Sequence, residues 1–590
     1  MAPIAAPAKA FRFTCPSVGG RPSEERLRHH PSALTRVKAL RWAPARAVVS
    51  RGEAAHYDMG GFREAEAQVS GASSEVFRPD HRCLHAGGTT IGGLFAARAR
   101  IDVGAVAIIE GERRLTFAQL NERVNRLAHV LATEGIRRGD RVGILARNCA
   151  AWVELELAAA KLGAVVAAQN WRLAAPELVH CIRLAEPRAM LVAEDYAPTL
   201  AGLDVAVPLT IALGDDYERR LARAGASEPP ALADPEDPLV ILYTSGTTGL
   251  PKGAVVSHRA FIARSLVFIT ELGLGPGEAF VAWAPFFHMA STDHALASLL
   301  KGNPVVVVDG YDAQALIEIV ARERIGWLPL VPGMIEGFAA VLRECEVRPR
   351  GIRAIGAMAD LVPRHQLAEI TTLLAAPYVN SFGATETGLP PATASFVPIG
   401  EAPTDLAKRQ SAFCEVRLVD PDDAEVPDGE PGECAIRGPT LFSGYWRAPE
   451  VNAKDFRGGW FHMGDMFIRR ADGRLDFVDR AKYMIKSGGE NVYPAEIERV
   501  LLADPRVDDA VVVRRPDPKW GEVPVAVIAR NDERLTADEL YAKCRRELAG
   551  YKQPKDIRFV AFADLPRSTT GKIQRHEIEA WLLRDERSTT

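Results

Sequence analysis

Apolar and polar positions along this chain repeat with two alternating periods. In LTFAQLNERVNRLAHVLATEGI (115–136), Leu120, Val124, Leu127 and Leu131 recur on one helical face. Thr116, with Gln119 three residues on, forms a capping box at the start of this predicted helix, and Gly135 stops it. DRVGIL follows as a buried strand, and AAWVELELAAAKLGAVVAAQ reads as a helix running into a strand. PVVVVD (304–309) and IGWLPLVP (325–332) repeat the alternation, which predicts βαβ units and a mostly parallel sheet. Regular structure begins near TTIGGLFAARAR.

After about residue 410 the texture changes. AFCEVRLVD, GECAIRG and GRLDFVDR are short alternating strands joined by Pro, Gly and Asp turns, which predicts a small β-rich subdomain. From Ala481 a compact α/β pattern resumes in AEIERVLLA, VDDAVVVRR, VPVAVIAR, TADELYAKCRREL and DIRFVA, enough chain for a small separate domain. At 590 residues the protein exceeds what one hydrophobic core organises, so two or more domains are expected.

Composition narrows the function classes. Hydrophobic content of 47% and charged content of 25% are ordinary globular values, and a net charge of −4 argues against nucleic acid or a membrane surface as the main partner. No apolar run is long enough to span a bilayer. The eight cysteines contain no C-x-x-C pair and the histidines no metal-ligand spacing, which argues against a zinc site or a disulfide framework and fits a reducing, cytoplasmic location. Residues 1–87 differ from the rest: up to Arg51 they are basic, rich in Ala and Pro and without apolar periodicity. A transit peptide would also be amphipathic, so a disordered extension is the favoured expectation, with Met59 an alternative start.

The candidate chemistry centres on YTSGTTGLPKG (243–253). Glycine-freed backbone N–H groups, hydroxyls and an ammonium are the parts of a polyphosphate cradle. The loop differs from the usual P-loop, in which Gly-Lys precedes Ser or Thr and opens a helix; here PLVILY before it and AVVSH after it read as strands. Four further stretches accompany it: SFGATETG (381–388) with Glu386, GWFHMGD (459–465) with Asp465, DRAKYMIKSGGENVYPAEIE (479–498) with Arg480, and LPRSTTGKIQR (565–575) with Lys572.

In this order and at these spacings the five stretches resemble the superfamily of adenylate-forming enzymes, which includes acyl-CoA synthetases, coumarate-CoA ligases, luciferases and peptide-synthetase adenylation domains; the resemblance runs from about residue 88 to 580. It implies that Thr244, Ser245, Gly246, Thr247, Thr248, Gly249 and Lys252 hold ATP phosphates and that Glu386 ligates Mg²⁺. Ser381, Phe382, Gly383 and Thr385 would line the nucleotide, with Thr385 at the α-phosphate. Asp465 and Arg480 would serve the ribose, and Lys572 would reach between the substrate carboxylate and the α-phosphate. Lys486, Gly488 and Gly489 would face coenzyme A, Lys482 would be a hinge, and His288 in WAPFFHMAS (283–291) would gate the acyl pocket. Thr244, His288, Glu386 and Lys572 are the implied catalytic set.

Pattern and resemblance together imply an α/β protein. A large N-terminal domain (88–480), made of two mostly parallel βαβ subdomains and a small β-rich one, precedes a small mobile α+β C-terminal domain (481–590). The expected reaction joins a fatty or similar apolar acid to CoA through an acyl-adenylate. The implied partners are the small-molecule acid, ATP, Mg²⁺ and CoA, with no nucleic acid or integral membrane segment and a homodimer left open. Aromatic acids, a carrier-protein thiol supplied in trans, an oxidative luciferase-like use and an inactive scaffold are the alternatives. Two departures from the family bear on the nucleotide. IGAMADL (355–361) lacks the proline of the run that packs on adenine, and Phe382, which could stack on a base, replaces a tyrosine.

Overall fold

Thr116 Oγ1 accepts from the Gln119 amide at 3.2 Å while Gln119 Oε1 accepts from the Thr116 amide at 2.9 Å, closing the predicted box at the head of helix Phe117–Thr133. Glu134 caps the other end and Gly135 follows at φ +87°, the left-handed turn expected of it. These features come from a computed structural model that describes residues 83, 86–244, 250–345, 347–393, 395–487, 490–567 and 573–589. The extension expected over 1–87 lies outside them apart from residues 83, 86 and 87. The described residues belong to one unit, Pro79–Thr590.

Two largely parallel sheets form the bulk of the α/β architecture. The six-stranded sheet runs Leu209–Ala212, Ala189–Val192, Arg141–Leu145, Val165–Ala168, Pro238–Thr244, Lys252–Ser257, parallel up to the last pair, which is antiparallel. The eight-stranded sheet is parallel inside, from Tyr378–Val379 through Ala279–Ala282 to Val106–Glu110, with antiparallel edge strands Phe396–Val397 and Arg113–Thr116. Helix Ala150–Leu162 packs on the first sheet, helix Met289–Lys301 on the second, and the two helices touch, so they form the layer between the sheets. Every residue of Ala150–Leu162 except Ala151 is buried, as expected of a helix covered on all sides.

That layer holds polar groups that periodicity does not reveal. Glu154 accepts from Arg123 Nε at 2.6 Å and from the Tyr217 hydroxyl at 2.5 Å. Glu156 accepts only a 3.2 Å bond from Thr292 Oγ1 among the described residues, and burial pushes its carboxyl well above the usual range.

The β-rich stretch folds as an antiparallel meander, Glu415–Val419, Pro431–Arg437, Phe461–Arg469 and Leu475–Arg480. The C-terminal pattern forms a mixed five-stranded sheet built on the long hairpin Val507–Asp517 and Gly521–Arg530, with Asp556–Val560 parallel to the latter. Large N-terminal and small C-terminal parts match the expected fold class. The described cysteines are all free thiols, and no helix of the described residues is long and apolar enough to cross a membrane.

Two histidines in this interior carry a pH dependence. Burial lowers both His258 and His294 from 6.5 to about 4. His294 packs edge-on to Phe268 and against Trp327, with Nδ1 2.9 Å from Ala290 O. On unfolding, each imidazole takes up a proton below about pH 6.5; the folded chain resists until about pH 4. The stabilisation is therefore complete above the unfolded value and is lost as pH falls through that window. Buried carboxyls such as Glu156 act with the opposite sign, so the difference between two proteins is the informative quantity. The stability advantage of wild type over His294→Phe should shrink by about 3 kcal/mol on acidification across the window. Denaturant titrations at successive pH values measure it, and parallel curves would show that His294 protonates freely.

Candidate active site

The glycine-rich stretch joins the two strands of an antiparallel pair, Pro238–Thr244 and Lys252–Ser257. Thr244 and Lys252 are register partners at its mouth, while Ser245, Gly246, Thr247, Thr248 and Gly249 lie outside the described residues. The strands expected on either side of the stretch are the ones observed. The half-buried Lys252 points its Nζ over the Tyr445 ring, 4.0 Å from the centroid and 3.9 Å from Asp455 Oδ2. The Tyr445 hydroxyl donates to Glu386 Oε1 at 2.7 Å. Burial, with the Glu386 charge added to it, pushes that phenol far above its ordinary value, so it stays a donor. A cation, an aromatic ring and a carboxylate thus stand in a row.

Glu386 rides on a tight turn. Strands Phe382–Ala384 and Gly388–Ala392 pair antiparallel, and a Cβ on Gly383 would lie 2.1 Å from Gly388 O, so only glycine fits there. Thr387 Oγ1 accepts from the Ala384 amide at 3.0 Å and donates to Pro390 O at 2.6 Å, closing the turn. Ser381 is buried at its entrance.

Phe382 lies on the first strand of this turn. Its ring is buried, 4.6 Å from Phe477 in a stack and 4.9 Å from Phe467 edge-on. The ring thus packs in the core of the antiparallel sheet. The altered segment 355–361 is firmly held. Gly356 at φ +69° leaves room for the Tyr378 ring, which a Cβ would approach to 2.0 Å. The Tyr378 hydroxyl lies 3.1 Å from both Ala357 O and Leu330 O, and buried Lys408 donates to Asp360 at 2.5 Å.

Asp465 and Arg480 face each other across neighbouring strands, with Arg480 Nε donating to the buried Asp465 Oδ1 at 3.0 Å. His288 caps helix Met289–Lys301: its Nδ1 accepts from the Ala290 amide at 3.1 Å, which leaves Nε2 as the protonated nitrogen of the neutral ring. The chain before it is pinned by Asn148, whose amide donates to Ala282 O, Ala284 O and Val308 O and accepts from the Phe286 amide. Lys482 lies exposed on the 3₁₀ turn Ala481–Tyr483, its carbonyl accepting from Arg514 at 2.8 Å. Lys486 is exposed on strand Ile485–Ser487 and its amide donates to Glu522. Gly488, Gly489 and Lys572 lie outside the described residues.

Sequence reasoning missed Tyr445, Asp455 and Arg264, the last donating to Thr385 O at 3.0 Å. SGYW gives no spacing signal, and the partners of these residues are remote in sequence. The Glu386 carboxylate suits a hard cation shared with substrate phosphates, which one or two protein carboxylates suffice to hold. Among the described residues, no three His, Cys, Asp or Glu side chains gather as a metal cage.

Residues 95–446 match the AMP-binding enzyme family, and residues 496–572 match the AMP-binding enzyme C-terminal domain. The chain belongs to the AMP-binding enzyme family. This AMP-binding enzyme is 36% identical over 484 residues to a feruloyl-CoA synthase of Amycolatopsis sp, covering 82% of this chain and 96% of that one. It is 32% identical over 491 residues to the long-chain-fatty-acid–CoA ligase FadD13 of Mycobacterium tuberculosis, with coverage of 82% and 96%. The O-succinylbenzoate coenzyme A synthetase of Bacillus subtilis, solved in complex with ATP and magnesium ion, superposes with a TM-score of 0.70 at 26% identity, covering 82% of this chain and 98% of that one. This AMP-binding enzyme is accordingly an acid–thiol ligase of the acyl-CoA synthetase branch.

Proposed function

We propose that the enzyme activates a fatty or similar apolar carboxylic acid with ATP and transfers it to coenzyme A. In the first step a carboxylate oxygen attacks the α-phosphorus, the bond to pyrophosphate breaks, and acyl-adenylate forms. In the second, the thiol sulfur attacks the acyl carbon, its proton passes to solvent, and AMP leaves. The first step brings two anions together, so fixed positive charge is its main requirement. The row Lys252–Tyr445–Glu386 beside the loop carries this reading. It supports a polyphosphate held by Lys252, Thr244 and the loop residues 245–249, with Glu386 as the protein ligand to Mg²⁺. When bound, Mg²⁺ would supply positive charge that screens the phosphates. Thr385 would meet the α-phosphate, Asp465 and Arg480 the ribose, and Lys572 the carboxylate.

His288, at the head of its helix, would stand at the carboxylate end of the acyl pocket. Ala290 packs against the apolar cluster that contains Trp283, Leu330 and Ile335, which supports an apolar tail. Residues 481–590 would rotate as a cytoplasmic enzyme's mobile domain about the exposed Lys482, exchanging Lys572 for the Lys486–Gly489 turn when CoA enters. Aromatic acids form the second reading, favoured by the feruloyl-CoA synthase similarity.

AMP release measured with ATP, Mg²⁺ and CoA across short, long, branched and aromatic acids tests the proposal. Medium- or long-chain acids should support CoA-dependent release. A preference for hydroxycinnamates would replace the acid assignment, and acid-dependent pyrophosphate exchange without CoA-dependent AMP release would sink CoA as the acceptor.

A further inference from the structure

One buried guanidinium joins three segments of the site, and no motif announces it. Arg264, on helix His258–Glu271, donates through Nη1 to Asp293 Oδ2 at 3.0 Å, through Nη2 to Thr385 O at 3.0 Å and through Nε to Thr440 O at 2.9 Å. Arg264 and Asp293 are each 3% exposed. Asp293 belongs to the helix capped by His288. Thr385 immediately precedes Glu386. Thr440 begins the run to Phe442, whose amide donates to Glu386 O at 2.9 Å, and to Tyr445, which holds the Glu386 carboxylate. Gly388 accommodates this arrangement: at φ +75° it has no side chain, and a Cβ there would sit 2.8 Å from Arg264 Cγ.

An ordinary stabilising ion pair explains little of this. Replacing a buried pair by apolar groups of like volume is often neutral, because desolvation offsets the attraction. Asp293 is an imperfect partner, since its Oδ1 has no hydrogen bond among the described residues and burial raises its carboxyl. A planar fork reaching acceptors on three different segments instead sets geometry, which a lysine cannot reproduce. We propose that Arg264 is a positioning residue that registers the Thr385–Glu386 turn against the helix headed by His288. It would thereby align the phosphate side of the reaction with the carboxylate side. The inference rests on the ligase reading above, and on its assignment of Glu386 and His288 to opposite partners.

The test uses the full chain carrying Arg264→Met with Asp293→Asn, a double substitution that leaves no buried unpaired charge, beside Arg264→Lys and Asp293→Asn alone. Melting temperature, hydrogen exchange of the peptide spanning 384–388, and acid-dependent ATP–pyrophosphate exchange are measured for each. The double variant should melt close to wild type, lose about tenfold or more of its protection at 384–388, and lose about a hundredfold in kcat for acyl-adenylate formation. KM for ATP and for the acid should move far less than kcat. Asp293→Asn alone keeps the bonds to Thr385 and Thr440 and should retain most of the activity; Arg264→Lys should not rescue. Wild-type protection and kcat in the folded double variant would overturn the proposal, as would losses that track melting temperature across the series. A wild-type protein inactive on every acid would count against the ligase reading, while exchange at 384–388 would still decide the role of Arg264.

Discussion

Glu386→Gln should lower acyl-adenylate formation by about two to three decades, the usual cost of removing one preorganised charge contact. Glutamine keeps the size of the side chain and an oxygen able to accept the Tyr445 hydroxyl bond, now 2.7 Å long. The turn that carries residue 386 is closed by Thr387 and by the glycine at 383, neither of which the substitution touches. Folding should therefore survive, and the melting temperature with it. What disappears is the negative charge that a divalent cation needs, so the loss should be partly recovered by raising Mg²⁺. Rapid-quench measurement of pyrophosphate release at several Mg²⁺ concentrations provides the check. Activity within about threefold of wild type would remove Glu386 from the metal site, since a lost charge contact of this kind costs far more.

Lys572→Ala should suppress the same step by about two to three decades and spare the next one. Thioester formation from supplied acyl-adenylate no longer needs the α-phosphate clamped, so it should fall little. Although Lys572 itself is outside the described residues, Arg567 shows where the chain before it runs. Its guanidinium lies so close to Gly333 that a Cβ there would be 2.7 Å from Nη1, while its other end pairs with Asp509. Gly333 follows Pro329 and Leu330, whose carbonyls accept from Trp283 and Tyr378, and Trp283 opens the segment ending at His288. Arg567 thus lies beside the segment proposed above to line the acyl pocket, where a carboxylate would need a cation. Single-turnover assays of the two half-reactions separate the cases: equal loss in both would mark Lys572 as structural.

Much of the architecture was legible because it is written in local periods. The capping box at Thr116 and Gln119, the strands flanking 243–253 and the antiparallel meander after residue 410 all follow from spacing within a dozen residues or so. Motif positions were legible as well, but motif directions were not. Phe382 sits in its motif, yet the pairing of its strand turns the ring onto Phe477 and Phe467, contacts that depend on a sheet assembled from distant chain. Arg264 and Thr385 are 121 residues apart and Tyr445 and Glu386 are 59 apart. An isolated arginine or tyrosine carries no period, so only the folded chain reveals such partners. Glu154 and Glu156 show the reverse difficulty: nothing in ELEL marks either carboxylate as buried, whereas Arg123 and Tyr217 cover the first and Thr292, on the neighbouring helix, meets the second.

The helix Ala150–Leu162, covered on all sides, also governs how the protein can come apart. It packs on one sheet while touching a helix that packs on the other, so neither sheet can complete its burial alone. A chain cut between residues 271 and 279 would part Trp152 from Phe286, on which it stacks, and Glu156 from Thr292. Such halves would gain more from rejoining than from persisting separately, and the two sheets should melt as a single transition rather than as independent subdomains.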